Sequence, residues 1–119
     1  QSGRTLSDIA FINAHGTATP HNDLAEGQWV ARHAPNARVV ATKGYTGHTL
    51  GAAGAIEAVF TALCLREQKL PPSKGFSTVD PEIGVRPTES VESGNFETAF
   101  SFSLGFGGAN AALCMGRAP

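Results

Sequence analysis

The chain has 119 residues and a formal net charge of -1, with a sequence pI near 6.5. This length fits one small domain with one modest hydrophobic core. The charge balance provides no basic surface for nucleic acid or an anionic membrane, so we expect neither as a partner. The longest apolar run, residues 52–65, is too short to span a bilayer and contains Glu57.

The cysteine content predicts a reducing compartment. Cys64 and Cys114 both lie among apolar residues, and they have no C-x-x-C spacing. Such cysteines are typical of reduced thiols in a hydrophobic core rather than of a disulfide framework. We therefore expect a cytoplasmic protein.

The first part of the chain predicts a strand followed by a helix. The apolar residues 9–12 indicate a short buried strand, after which His15 lies in a polar stretch. Thr19 followed by Pro20 is typical of a helix start, because the hydroxyl caps free amides and proline fits the first helical position. We expect this helix to cover residues 20–33.

A second strand and helix follow. Residues 38–41 predict a short strand that runs into a polar, glycine-rich stretch containing Lys43 and His48. In residues 51–69 the apolar positions recur at helical spacing, and Pro71 ends the pattern. Because this helix is apolar on nearly all sides, we expect it to be deeply buried.

The last part of the chain predicts a loop and a hairpin. Residues 74–94 have prolines, scattered charges and no periodicity, which indicates a long surface connection. Alternating residues predict a strand over 96–103, and the turn 104–108 leads into a second strand over 110–115. Two strand–helix units followed by a hairpin indicate a single α/β domain, residues 1–119, with a mixed sheet.

The histidines occur in two different settings. His15 and His48 each neighbour a glycine beyond the end of a predicted strand, where open α/β sheets place their sites. Lys43 lies close to the second of them along the chain. His21 and His33 have no glycine beside them, so we interpret both as structural residues.

Glu57 interrupts the apolar pattern of the second helix. A buried carboxylate needs a cation or hydrogen bonds to offset its desolvation. Three interpretations remain open: Glu57 lies on a wet stripe of the helix, pairs with a basic residue, or binds a metal ion.

The glycine-rich turn at residues 104–110 does not match a nucleotide-binding loop. A Walker loop needs G-x-x-x-x-G-K-[ST], and the dinucleotide fingerprint needs glycine where Asn110 stands. Elsewhere no serine lies in G-x-S-x-G, and no zinc-finger or H-E-x-x-H spacing occurs. Glycines on both sides of Phe106 leave backbone N–H groups accessible, so the turn suits an oxyanion donor or an aromatic gate.

Three motifs in series carry a family resemblance. They are N-A-H-G-T-A-T-P at residues 13–20, K-G-Y-T-G-H at 43–48 with G-A-A-G at 51–54, and G-F-G-G-A-N at 105–110. In this order they resemble the second half of the β-ketoacyl-acyl carrier protein synthases (KAS I/II-like) of the thiolase superfamily. The resemblance covers nearly the whole chain. It implies the C-terminal half of a thiolase-like α/β fold, with a five-stranded mixed sheet and helices.

The resemblance implies a reaction that requires no cofactor. The family joins an acyl group held on a cysteine to malonyl-acyl carrier protein, in a decarboxylative Claisen condensation of fatty acid or related polyketide biosynthesis. It implies that His15 and His48 donate hydrogen bonds to the thioester carbonyl on which negative charge develops. Lys43 is then a fixed positive charge beside the first histidine.

The resemblance also implies substrate and cation sites. Phe106 corresponds to the family's gating phenylalanine, and its backbone N–H to one oxyanion donor. The rest of the substrate-binding and gating group comprises Thr17, Thr19, Gly105 and Gly107. The structural cation of some members corresponds to a site formed by Asn13, Glu57, Ser101 and Asn110.

The family's cysteine nucleophile lies in the other half of its chains, in an elbow at a helix N-terminus that lowers its pKa. We predict that neither Cys64 nor Cys114 replaces it, and that this chain alone catalyses no condensation. The resemblance implies acyl carrier protein, the chain's own N-terminal half and a second copy as partners. The helix beginning at Gly51 is expected in the layer between the two halves.

Two further expectations concern the ends of the chain, and two alternatives stay open. A start at Gln1 without methionine suggests a fragment cut between the halves, and an end at Pro119 favours a dissociated bacterial system. One alternative is a non-catalytic ketosynthase-like subunit, or chain-length factor. The other is a free-standing α/β binding domain. The presence of both His15 and His48 favours the enzyme.

Overall fold

The computed structural model describes residues 3–118, so residues 1, 2 and 119 of the predicted domain lie outside the described part. Within residues 3–118 there are three helices and six strands, and short 3₁₀ turns lie at Leu6–Asp8, Leu50–Ala52 and Phe106–Gly108. The helices are α1 (Pro20–His33), α2 (Lys43–Thr46) and α3 (Ala53–Glu67). The strands are β1 (Phe11–Asn13), β2 (Arg38–Val40), β3 (Lys69–Leu70), β4 (Glu92–Ser93), β5 (Thr98–Leu104) and β6 (Asn110–Gly116).

The main sheet is mixed, as the sequence predicts, and has the strand order β2-β1-β5-β6. β1 is parallel to both β2 and β5, whereas β5 and β6 form the antiparallel hairpin. Parallel strands end at the same edge of a sheet, so the segments that follow β1, β2 and β5 are neighbours. This edge is where the candidate site forms.

The prediction of a five-stranded sheet is wrong for the described residues, in which the main sheet has four strands. Beside β2, the chain makes only an isolated bridge between Val39 and Pro87, and Thr88 N–H donates to the Val39 carbonyl. Proline has no N–H to donate to a ladder, so this segment cannot pair continuously. Residues 74–94, which the sequence predicts to be an irregular connection, also contain β4, and this strand pairs with β3 in a small antiparallel sheet.

Two hydrophobic clusters lie on opposite faces of the main sheet. Ile12 and Phe102 face α1 and pack with Val30. Phe11 and Ala99, which alternate with them along the strands, pack with residues of α3. The sheet is therefore covered by α1 on one face and α3 on the other, which explains its near-continuous apolar strands.

The helix α3 is buried on one side only, so the expectation of deep burial is wrong for this chain by itself. Val59 is 60% exposed and Leu63 is 38% exposed. Leu50, just before the helix, is 76% exposed, and Leu113 on β6 is 50% exposed. No helix in residues 3–118 is long and apolar enough to cross a membrane.

The helix boundaries follow local chemistry. α1 covers the predicted residues 20–33, with Thr19 at its N-cap and proline in the first turn. α3 is shorter than predicted, because a 3₁₀ turn precedes it and Gln68 adopts a left-handed conformation at φ 55° that ends it. The Gln68 side chain also accepts a hydrogen bond from the Phe96 N–H, which joins the end of α3 to the segment before β5.

Candidate active site

His15, Lys43 and His48 lie together at the carboxyl edge of the sheet. His15 lies two residues beyond the end of β1, and Lys43 begins α2 three residues beyond the end of the neighbouring β2. The rings of His15 and His48 meet edge to face, with centroids 5.4 Å apart and an interplanar angle of 87°. The three predicted catalytic residues thus occupy one place in the structure.

The turn at His15 is held by Glu26 of α1. Glu26 is buried, and its two carboxylate oxygens accept the backbone N–H groups of His15 at 2.6 Å and of Gly16 at 2.9 Å. Gly16 has φ +51°, a conformation that glycine adopts without strain. Burial raises the pKa of Glu26, while the two N–H donors oppose that rise. Both donors favour an ionised Glu26 that orients the turn.

Lys43 contacts both the ring and the backbone of His15. Its Nζ lies 3.2 Å from His15 Nδ1 and donates to the His15 carbonyl oxygen at 2.6 Å. An ammonium group has no acceptor, so Nδ1 must accept and the ring hydrogen must be on Nε2. Burial, followed by the charge of Lys43 and the proximity of His48, lowers the pKa of His15 to about 4. His15 is therefore a neutral imidazole with a fixed Nε2–H donor.

His48 has the same tautomer for a different reason. It is more exposed than His15, and its Nδ1 accepts the backbone N–H of Leu50 at 3.1 Å. A neutral ring that accepts at Nδ1 carries its hydrogen on Nε2. The site thus presents two imidazole donors close together. This arrangement suits an oxygen atom on which negative charge develops.

Glu57 pairs with Lys43, which answers the question that the sequence left open. The carboxylate and the ammonium form a buried ion pair. Burial raises the pKa of Glu57, and the bond from Lys43 counteracts the rise. Behind the pair, Asn13 Nδ2 donates to the Glu57 carbonyl oxygen at 3.1 Å and contacts Thr61 Oγ1 at 3.2 Å. This network fixes Lys43 at the interface of α3 and β1.

The predicted gate lies at the same edge of the sheet. β5 is parallel to β1, and the turn Phe106–Gly108 follows its end. The Phe106 side chain is fully exposed. Gly107 and Gly108 have φ of +73° and +82°, so L side chains would be strained there. Gly105 donates its N–H to Asn110 Oδ1 at 3.3 Å, which closes the base of the turn.

The two predicted substrate threonines lie between His15 and α1. Thr17 and Thr19 share a hydrogen bond of 2.8 Å between their hydroxyl groups. Thr17 and His48 also line a cavity of about 600 Å³ that extends between α1 and residues 73–87. Of the two threonines, Thr17 is therefore the one that shares this cavity with His48.

The predicted cation residues do not all share one face of the sheet. Asn13 and Ser101 are register neighbours that face α3, where Glu57 lies. Two buried oxygens there, Glu57 Oε2 and Ser101 Oγ, have no hydrogen-bond partner among the described residues, which fits an oxygen-binding cation. Asn110 lines a pocket on the α1 face and already accepts the Gly105 N–H. The chemistry thus fits three of the four residues, and Lys43 already neutralises Glu57.

Neither cysteine has the setting of a nucleophile. Cys64 is buried within α3, where burial raises the pKa of its thiol to about 11. Cys114 lies within β6, opposite Phe100. Reactive cysteines need a lowered pKa and access to solvent.

Sequence reasoning did not assign the roles of Glu26 and Gly27. Glu26 lies about two turns into α1, and its bonds to the His15 turn depend on how α1 packs against the sheet, which the sequence alone does not specify. Gly27 is buried against Ile83, a contact that no local pattern predicts.

The domain family model described as "Beta-ketoacyl synthase, C-terminal domain" matches residues 1–77, more than half of the chain. The chain belongs to the β-ketoacyl synthase family. A 3-oxoacyl-[acyl-carrier-protein] synthase 2 of Mycobacterium bovis is 40% identical over an alignment of 119 positions that covers 98% of this chain and 28% of the relative. The chain therefore spans less than a third of the curated relatives it matches.

Solved ketosynthase structures share the fold. The ishigamide ketosynthase/chain length factor superposes with a TM-score of 0.91 and 29% identity, covering 98% of this chain and 30% of that one. A type II polyketide ketosynthase solved with its acyl-carrier protein, AntDE:AntF, gives a TM-score of 0.86 and 28% identity, covering 97% of this chain and 29% of that one. The predicted thiolase-like α/β fold is thereby confirmed.

Proposed function

We propose that the chain supplies the decarboxylation site of a 3-oxoacyl-[acyl carrier protein] synthase. The observation that carries this proposal is the pair of neutral imidazoles, His15 and His48, whose Nε2–H groups are fixed by contacts at Nδ1. Two fixed donors beside each other stabilise an oxyanion without reorganisation. Membership of the family and the fold support the same conclusion.

The proposed reaction uses these donors at the malonyl thioester. The bond between the malonyl carboxylate and the α-carbon breaks, carbon dioxide leaves, and the electron pair enters the thioester as an enolate. His15 and His48 donate to the enolate oxygen. The α-carbon then attacks the acyl group carried on a cysteine, and the cysteine thiolate leaves as the carbon–carbon bond forms.

Acyl transfer needs residues outside this chain. Because Cys64 has a raised pKa and Cys114 lies within a strand, we propose that the nucleophile belongs to the N-terminal half of the complete protein. The isolated chain is then inactive. Phe106, fully exposed between glycines, is proposed to lie across the acyl pocket formed by both halves and to move as the second substrate enters.

Three partners complete the proposal. Acyl carrier protein delivers both thioesters, as the complex of a related ketosynthase with its carrier protein suggests. The N-terminal half covers the apolar side of α3, where Val59 and Leu63 are exposed. A second copy of the protein forms a homodimer with it.

The proposal also includes a cytoplasmic location, which the free cysteines Cys64 and Cys114 favour. A bound cation is optional and would be held by Asn13, Glu57 and Ser101.

One alternative has support of its own. A similar solved structure is a ketosynthase/chain length factor, so a non-catalytic subunit that shapes a partner's pocket has the same fold. Such a subunit has no need of two imidazoles with fixed tautomers, which favours the enzyme.

An assay of the complete protein distinguishes the enzyme from the non-catalytic subunit. The purified protein is given an acyl-carrier protein and malonyl-carrier protein, and the 3-oxoacyl product is measured by mass. The enzyme forms this product by itself. If the protein forms it only together with a second ketosynthase, and remains needed when its own histidines are replaced, the subunit is the correct assignment.

A further inference from the structure

Residues 73–88, here called the strap, form a closed loop over the α1 side of the site. The two ends of the strap are joined, because Ser73 N–H donates to the Thr88 carbonyl and the two hydroxyls are 3.1 Å apart. The strap is anchored to the sheet at the same point: Ala41 N–H donates to Ser73 Oγ at 3.0 Å, and Thr88 N–H donates to the Val39 carbonyl. The base of the strap is therefore fixed to β2.

The strap contacts α1 at a glycine. A Cβ atom built on Gly27 would overlap Cγ2 of Ile83 in the strap. Gly27 is buried, and it directly follows Glu26, whose carboxylate holds the His15 turn. Only glycine allows the strap to approach the helix this closely. The contact therefore sets how closely α1, and with it Glu26, lies to the strap.

The strap contacts α2 at a second glycine. A Cβ atom built on Gly44 would overlap the backbone carbonyl oxygen of Lys74. Gly44 directly follows Lys43, which donates to His15. Next to this contact, Tyr45 donates its hydroxyl to the Pro72 carbonyl at 2.6 Å. The strap thus touches the backbone beside each of the two buried charged groups that act on His15.

We propose that the strap is a clamp that positions Lys43 and the Glu26-supported His15 turn relative to each other, with Gly27 and Gly44 as its contact points. This inference rests on the proposed function, because the separation that the clamp maintains is the one that fixes the His15 donor. Gly27, Gly44 and Ile83 are positioning residues, since none of them touches the reacting atoms.

The physical reason lies in the length of the His15–Lys43 contact. Nζ is 3.2 Å from Nδ1, near the limit of a hydrogen bond, so a small displacement of α1 or α2 would break it. The His15 ring could then rotate or change tautomer, and the donor at Nε2 would no longer be fixed. A misplacement of about 1 Å remote from the chemistry can lower a rate by about a hundredfold.

The two contacts differ in a way that permits a sharp test. At Gly27 the obstacle is a side chain, so Ile83→Ala removes it. At Gly44 the obstacle is a backbone oxygen, which no substitution at Lys74 removes. In the complete protein, Gly27→Ala is expected to lower malonyl-carrier protein decarboxylation by about tenfold or more, and Gly27→Ala/Ile83→Ala to restore it to within about threefold of wild type. Gly44→Ala is expected to lower the rate without rescue by Lys74→Ala.

A matched control and a second readout separate positioning from general destabilisation. Gly116→Ala is the control, because its Cβ meets only an ordinary contact at 3.8 Å and its φ is not in the left-handed region. The second readout is hydrogen exchange at the backbone amides of His15 and Gly16, which donate to Glu26. When Gly27→Ala displaces Glu26, these two amides are expected to exchange faster, whereas the amides of the β5–β6 hairpin are not. The control leaves both readouts unchanged.

The inference is overturned if folded Gly27→Ala keeps the wild-type rate and the wild-type amide exchange of His15 and Gly16, or if Ile83→Ala does not rescue it. If Gly27→Ala does not fold, the double variant decides: it must fold and decarboxylate, and its failure also overturns the clamp. A wild type that does not decarboxylate contradicts the proposed function instead, whereas amide exchange at His15 and Gly16 still tests the clamp.

Discussion

Lys43 Nζ lies 3.2 Å from His15 Nδ1 and also donates to the His15 carbonyl oxygen. One ammonium group thereby fixes both the ring and the backbone of the histidine. Its own charge is balanced by Glu57 in a buried pair. The hydrogen on His15 Nε2 is the chemical result, and most of the testable consequences derive from it.

Removal of Lys43 is expected to raise the pKa of His15. The pKa of His15 is lowered to about 4, chiefly by burial and then by the charge of Lys43. In Lys43→Met that charge is lost and burial remains, so the pKa rises but stays below 6.5. An NMR titration of His15 in the complete protein should therefore have its midpoint at higher pH in Lys43→Met than in wild type, and an unchanged midpoint contradicts this.

The ion pair predicts a characteristic pattern of stability. Glu57→Gln leaves the buried Lys43 ammonium without its counter-charge, which costs about 3–5 kcal/mol. Lys43→Met leaves an unpaired carboxylate and has a similar effect. The double variant removes both charges, so it should melt closer to wild type than either single variant does. Thermal unfolding of the complete protein measures the three shifts, and strictly additive losses would show that the pair is not coupled.

Removal of the Glu26 carboxylate is expected to lower both the decarboxylation rate and the stability of the complete protein. In Glu26→Ala the N–H groups of His15 and Gly16 lose their acceptors, and each unsatisfied buried donor costs about 1–3 kcal/mol. Glu26→Gln retains one good acceptor and should fall between. Gln28→Ala, at an exposed position of the same helix, is the control. Equal decarboxylation rates in Glu26→Ala and the control would exclude the positioning role.

The exposed side of α3 is expected to be buried in the complete protein. Val59→Glu and Leu63→Glu place a charge on the side of the helix that is bare here, so both should lower the melting temperature or prevent folding of the complete protein. Val91→Glu changes a similarly exposed apolar residue away from this helix and serves as the control. Hydrogen exchange of α3 gives an independent measurement. If all three variants melt alike, α3 is not the contact between the halves.

Phe106→Ala is expected to slow acyl transfer without destabilising the protein. Because its side chain is fully exposed, Phe106→Ala is expected to change the free energy of unfolding of the complete protein by less than about 0.5 kcal/mol. Acyl loading of the nucleophilic cysteine should slow, while decarboxylation at the histidines should change less. Single-turnover loading followed by mass spectrometry distinguishes the two steps, and equal slowing of both would argue against a gate.

The sequence predicts those features that depend on local chemistry. α1 begins at Pro20 because Thr19 and the proline specify a helix start, and both histidines follow strands whose apolar runs are short and distinct. The partner of Glu57 could not be chosen from sequence, because Lys43 is 14 residues away and meets it only when α3 packs on β1. The pairing of β4 with β3 could not be predicted either, because the two strands are distant in sequence and short. Two residues in each strand carry too little pattern to be recognised.

The most direct test of the account is decarboxylation of malonyl-carrier protein by the complete protein, with wild type compared with His15→Ala and His48→Ala. Each variant removes one fixed Nε2–H donor, so each should lower the rate by about two to three orders of magnitude. His33→Ala, at the far end of α1, should leave the rate near that of wild type. If the histidine variants decarboxylate as fast as wild type, or if wild type does not decarboxylate at all, the two imidazoles are not the oxyanion donors and the proposed function is wrong.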